Sequence, residues 1–231
     1  TFRNAGWSGD TASGGLERLD RDVLSLKPDV VSICFGMNDG HALPFRMDNY
    51  KAFMDGMTGL IRRLKAAGVQ VVLLTPGCVD PYRKSWLAPE KLSVYNSTLV
   101  HFARGARLLA ARENVPIYDI YTLMLDVQRR AQADDPAFTM IPDGVHPSPP
   151  GQAIMAYGML KALGCDEQPS SLTIAADKAR ATTDRCSVSG LRVCADSVSF
   201  TRTDDALPAY FPPEAEVIFK YCPIPDELNS Y

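Results

Sequence analysis

The stretch PDVVSICFGMNDGH, residues 28–41, joins an unbroken apolar run to a tight polar turn. A run without polar alternation is the mark of a strand covered on both faces, as in a parallel sheet. Pro28 closes the helical spacing of GLERLDRDVLSL before it. Downstream, the amphipathic stretch from Tyr50 to Ala67 ends at Gly68, a good C-terminal stop. VQVVLLTP is a second buried strand, Glu90 to Glu113 a long helix, and VPIYDI a third short strand. Tyr121 to Ala133 reads as helix, and PPGQAIMAYGMLKALG as a final helix with proline at its start and glycine at its end. Strand alternating with helix predicts an α/β fold, a parallel sheet with helices on both faces.

Beyond Gly164 no helical period of any length is visible. CSVSGLRVC, SVSFTR and EVIFKY alternate apolar with polar residues, and LPAYFPPEAE and CPIPDE are rich in proline. This predicts two parts: an α/β domain over residues 1–164, and a linker with partial β-structure over residues 165–231.

Composition agrees with a folded enzyme-sized chain. Of 231 residues, 46% are apolar and 22% charged, enough to bury a sizeable core. The formal net charge of -3, without any basic stripe, argues against nucleic acid or acidic lipid as a partner. The apolar runs are strand-length, so no membrane span is expected. Six cysteines are present. Cys34 and Cys78 lie in or just after apolar runs and read as buried thiols, whereas Cys186 and Cys194 bracket an alternating stretch that could form a bridge. No C-x-x-C pair exists, so a structural metal is not expected. The compartment stays open, a secreted or periplasmic one being preferred.

Open parallel sheets bind ligands at the carboxyl ends of their strands. Three loops there carry chemistry. In PDGVHPSPPG, His146 stands three residues after Asp143, the local arrangement in which a carboxylate holds an imidazole in one tautomer for general-base work. In GMNDGH, Asn38 follows a rigid strand and can offer its side-chain N–H to a developing oxyanion, although Asn-Asp-Gly is also an ordinary turn. In NAGWSGDTA, Gly9 lets a backbone N–H approach an anion, with Asp10 and Thr11 placed to cap the next helix. Trp7, Tyr82, Arg83 and Trp86 are candidate pocket walls, and the aromatics among them suit a sugar or acyl chain as readily as they suit packing. His41 reads as a loop-surface residue, His101 as structural, and the Asn96-Ser97-Thr98 sequon is discounted because it falls in a helix.

Taken in order, NAGWSGDT, FGMND and DGVHPS resemble three blocks of the SGNH hydrolases, the GDSL-like lipase/acylhydrolase superfamily. The resemblance covers roughly residues 1–164. It implies a flavodoxin-like three-layer α/β/α sandwich, Asp143 and His146 as the catalytic Asp-His pair, and Gly9 and Asn38 as oxyanion-hole residues. In that resemblance His146 moves the proton and Asp143 only orients its ring; it further implies no metal or organic cofactor and a small-molecule or carbohydrate ester as substrate. The family's Gly-Asp-Ser block, which supplies the nucleophile, has no counterpart in this sequence. Ser8 reads as a turn residue, Ser32 as buried mid-strand and Ser148 as the start of the final helix, so the nucleophile is expected to lie outside these residues. A chain without the strand that carries it is expected to expose an apolar edge on VVSICF, to be poorly soluble alone and to be inactive. The alternative is a carbohydrate- or surface-binding protein on the same scaffold. A nucleotide-binding module fares worst, for no phosphate-cradling glycine motif is present.

Overall fold

The structure, a computed structural model, describes residues 1–165, 170–205 and 211–222. Its described residues divide into two compact units, one of residues 1–165 with 213–222, the other of residues 170–205 with 211–212.

The first unit is built on a parallel sheet of three strands: β1 (Val30–Ile33), β2 (Gln70–Leu74) and β3 (Ile117–Tyr118), in that order across the sheet. Around it lie α1 (Ala12–Glu17), α2 (Leu19–Asp22), α3 (Met47–Ala66), α4 (Pro89–Glu113), α5 (Ile120–Asp134) and α6 (Pro149–Ala162). Alternate residues of β2 serve opposite layers, as the period of two requires. Val71 and Leu73 enter the core formed with Phe53, Met57, Phe102 and Ala106 of α3 and α4. Val72 and Leu74 are equally buried on the other face, where α6 packs on β2 and β3. The expected α/β arrangement, a parallel sheet between helical layers, is therefore present.

Two details depart from expectation. The run PDVVSICFG yields a strand of only four residues, and it is covered on one face, not two. Val31 and Ile33 meet the α3 core, while Val30, Ser32 and Cys34 are exposed because α6 packs chiefly on the other two strands. Ser32 and Cys34 are thus not the buried residues their neighbours imply. Among the described residues β2 is the ladder partner of β1, and its far edge is unpaired. The second departure is the helix expected over residues 15–26, which breaks into α1, α2 and a 3₁₀ turn at Leu24–Leu26.

The second unit holds two antiparallel pairs, β4 (Ser171–Ala175) with β5 (Arg180–Asp184), and β6 (Cys186–Val193) with β7 (Val198–Asp204). Cys186 and Cys194 are both free thiols. Cys186 and Cys194 stand at opposite ends of β6, and at about 3.3 Å per residue an extended strand carries them far beyond disulfide reach. EVIFKY is not a strand; it falls within and just after a 3₁₀ helix, Pro213–Ile218, that packs on α6. Pro213–Cys222 therefore belongs with the first unit, although the sequence assigns it to the extension. Residues 206–210 and 223–231, parts of the proline-rich stretches, lie outside the described residues.

Candidate active site

Each candidate residue sits on a loop at a helix or strand end, and local chemistry explains its pose. Thr11 caps α1, its hydroxyl accepting from Gly14 N–H at 3.3 Å. Asp10 does not share the capping; its carboxylate accepts from its neighbour's N–H and pairs with Arg18 at 2.6 Å. Gly9 takes φ +77°, in the left-handed region where glycine is at ease, and a Cβ there would meet open space. The Gly9 turn thus owes its glycine to backbone shape.

Asn38 joins this loop, since its side-chain amide donates to the Asp10 carbonyl at 3.0 Å. An amide nitrogen carries two hydrogens, so the second remains for a ligand. Next to it, buried Asp39 fastens the two loops from beneath, accepting from Ala12 N–H and Gly36 N–H at 2.9 Å each. Burial pushes the Asp39 carboxyl above its ordinary range, and those backbone donors partly offset it.

Asp143 and His146 meet as expected. His146 Nδ1 lies 2.7 Å from Asp143 Oδ2, while Asp143 Oδ1 accepts from the backbone N–H groups of Val145 and His146. Burial works against the Asp143 charge, but the His146 backbone N–H, its imidazole and the Val145 N–H outweigh it and hold the carboxyl down to about 2. A carboxylate accepting from Nδ1–H leaves Nε2 as the basic nitrogen of the neutral ring. Gly144, at φ +83°, makes the turn that brings the two side chains together.

The first turns of α4 link these halves. The Tyr95 hydroxyl donates to the Met37 carbonyl beside Asn38, and Leu92 lies against Gly144, between Asp143 and His146. Residues three apart on a helix have Cβ atoms about 5–6 Å apart, so one helical turn abuts both loops.

Tyr82 and Trp86, on the loop after β2, are largely exposed, as is Trp7. Trp7 borders a shallow groove with Gly14, Glu17, Arg18 and Arg21 along α1. His41 is exposed and, with Ala42, adopts a left-handed backbone conformation. His101 packs against Phe45, the rings tilted by 42° with centroids 4.4 Å apart. Ser148 stands at the start of α6 and donates to the Met140 carbonyl. The Asn96 amide both accepts from and donates to the Val79 backbone, which occupies the nitrogen of the sequon. Among the described residues no group of three His, Cys, Asp or Glu side chains is placed to hold a metal ion, and no helix is long and apolar enough to cross a membrane.

The model of the GDSL-like lipase/acylhydrolase family matches residues 1–154. The chain belongs to that family. It is 28% identical over 178 residues to an acetylxylan esterase of Geobacillus stearothermophilus, covering 70% of this chain and 71% of that one. Among solved structures it resembles a gut microbial diltiazem-metabolizing enzyme, with TM-score 0.70 and 26% identity over 87% of this chain. It spans about half of that structure's length, 48%. It also resembles an α/β hydrolase from the metagenome of Lake Arreo, Spain, with TM-score 0.53 and 26% identity over 68% of this chain and 70% of that one.

Sequence reasoning missed Asp39 and, more importantly, Asp80. CVDPYRKSW drew attention for its aromatics, and an aspartate before proline looks like turn chemistry. The available signal lay elsewhere: Gln128 shares the buried stripe of α5 with Met124, Val127 and Ala131, and a glutamine there needs a polar partner.

Proposed function

We propose that this family member takes part in hydrolysis of carboxylic esters through an Asp143–His146 pair. The observation that carries the reading is the 2.7 Å contact between these side chains, with Asp143 clamped by two further N–H donors. In this reading His146 takes the proton of an attacking serine hydroxyl and passes it to the leaving alcohol, while Asp143 orients the ring. The Gly9 N–H and the free hydrogen of the Asn38 amide receive the oxyanion. The serine is not assigned to any of the 231 residues, and the chain by itself is expected to be inactive. Acetylated carbohydrate is the preferred substrate class, supported by the acetylxylan esterase relative and by the exposed rings of Tyr82 and Trp86.

In the natural polypeptide that contains these residues, His146→Ala should abolish nearly all hydrolysis of p-nitrophenyl acetate. Asn38→Ala should lower kcat by about 10²–10³-fold with a smaller change in KM. Full activity in His146→Ala would reject the reading. Binding of acetylated xylo-oligosaccharide without turnover would establish the alternative, a binding protein on this scaffold.

A further inference from the structure

Behind the Asp143–His146 turn lies a buried charge that the proposed chemistry does not use. Asp80, on the loop after β2, is 1% exposed. Its Oδ2 accepts from Gln128 Nε2 at 2.8 Å, Thr139 Oγ1 at 2.8 Å, Arg83 Nε at 3.1 Å and Gln132 Nε2 at 3.3 Å. Its Oδ1 accepts from Tyr82 N–H at 3.1 Å. Its backbone N–H donates to the carbonyl of Gly144, the residue between Asp143 and Val145, at 3.0 Å. The bonded groups carry the network onward. Arg83 Nη2 donates to the carbonyls of Pro136, Ala137 and Phe138, Gln128 Oε1 accepts from Met140 N–H, and Thr139 Oγ1 accepts from Ile141 N–H. Nearly every residue from 136 to 141 is thereby held by a group that touches Asp80.

We propose that Asp80, with Arg83 as its partner, is a positioning residue: it fixes the 136–144 segment and so sets where the Asp143–His146 pair presents its imidazole. Two properties argue for precision beyond simple stability. A buried carboxylate is costly unless several donors satisfy it, and its loss strands those donors together. The network also ends on the pair, since the Asp80 N–H reaches the glycine turn that brings Asp143 to His146. The loop bearing the exposed rings of Tyr82 and Trp86 is tied to the same carboxylate, so those aromatics and the proposed general base share one anchor.

The proposal rests on the ester-hydrolase reading, and the experiment separates the two. Asp80→Asn and Arg83→Lys would be made in the natural polypeptide that contains these residues. Lysine keeps the cation but lacks the planar fork that reaches the three carbonyls. Catalytic sites would be counted with a serine-directed organophosphonate, and kcat expressed per titrated site. The expected result is a fall of about 10–100-fold in kcat per titrated site with KM little changed, larger for Asp80→Asn. Faster amide hydrogen exchange at Val145 and His146 should accompany it. A merely structural role would lower the melting temperature and the titratable fraction, yet leave kcat per site intact. Unchanged kcat per site and unchanged exchange overturn the proposal. If Asp80→Asn fails to fold, Arg83→Lys decides, because Arg83 is partly exposed and its replacement keeps the charge. An inactive His146→Ala beside fully active Asp80→Asn and Arg83→Lys removes the positioning role alone; an active His146→Ala removes the hydrolase reading and this proposal with it.

Discussion

Asp143 is a residue whose environment departs from its exposure. Its side chain is partly open to solvent, yet three donors on Val145 and His146 hold its carboxyl near 2. A carboxyl depressed in the folded state contributes stability that is complete above the unfolded value of about 4 and is lost as pH falls through the folded one. The Asp143 side-chain carbonyl carbon should therefore keep its ionised NMR shift from pH 7 down to pH 4 and titrate only near pH 2. A midpoint at an ordinary carboxylate value would show that the Val145 and His146 donors do not hold in solution. The Asp-His pair was legible in the sequence because all of its parts lie within four residues. Asp80 was not, because beyond its near neighbours Tyr82 and Arg83 its partners come from α5 and from Thr139, and only folding brings them to one carboxylate.

At the level of elements, helices announced by their ends were the easiest to read. Pro89 at the start of α4 and the left-handed Asn114 after it mark the span that periodicity also predicts. β1 was misread because burial of a strand depends on what lies over it, which no local pattern reports. EVIFKY failed likewise, since a few alternating residues suit a strand or a 3₁₀ turn equally well. Packing between α1 and α3 offers a paired test. A Cβ at Gly56 would come within 2.7 Å of the Ala12 and Ser13 backbone, whereas at Gly59 the close neighbours are the movable side-chain atoms of Leu16. Alanine at either position gains about 1 kcal/mol of helix propensity. Only at Gly56 must backbone move, at a cost of about 1–3 kcal/mol. Gly56→Ala should lower the urea midpoint, and Gly59→Ala should leave it unchanged or raise it. The Gly56 change should also disturb the Ala12–Asp39 hydrogen bond and, with it, the Gly9 loop.

For the molecule as a whole, the return of Pro213–Cys222 to the first unit matters most. Ala215, Ile218 and Cys222 are buried there, the Tyr221 hydroxyl donates to Asp134, and its ring lies beside Phe138. This strap braces the end of α5 and the start of the segment that leads to Asp143. Ile218→Ala should destabilise the unit by about 2–5 kcal/mol, the ordinary cost of emptying a buried isoleucine site. Urea unfolding followed by signals from residues 1–165 would measure it; an unchanged midpoint would mean that the strap is dispensable to that unit.

The same strap sets an order in time. A polypeptide emerges from the ribosome amino end first, and domains tend to fold as they appear. Here the sheet, its helices and the Asp143–His146 turn are all synthesised by residue 165, but the segment that seals α6 comes only after residue 212. Until then the nascent unit carries an open seam on α6, and the intervening β-pairs must be made, and can fold, before it closes. The distant contact lengthens the average loop that folding must close, which slows the final step. The unit that begins folding first thus closes only after the β-pairs that interrupt it in sequence have been made.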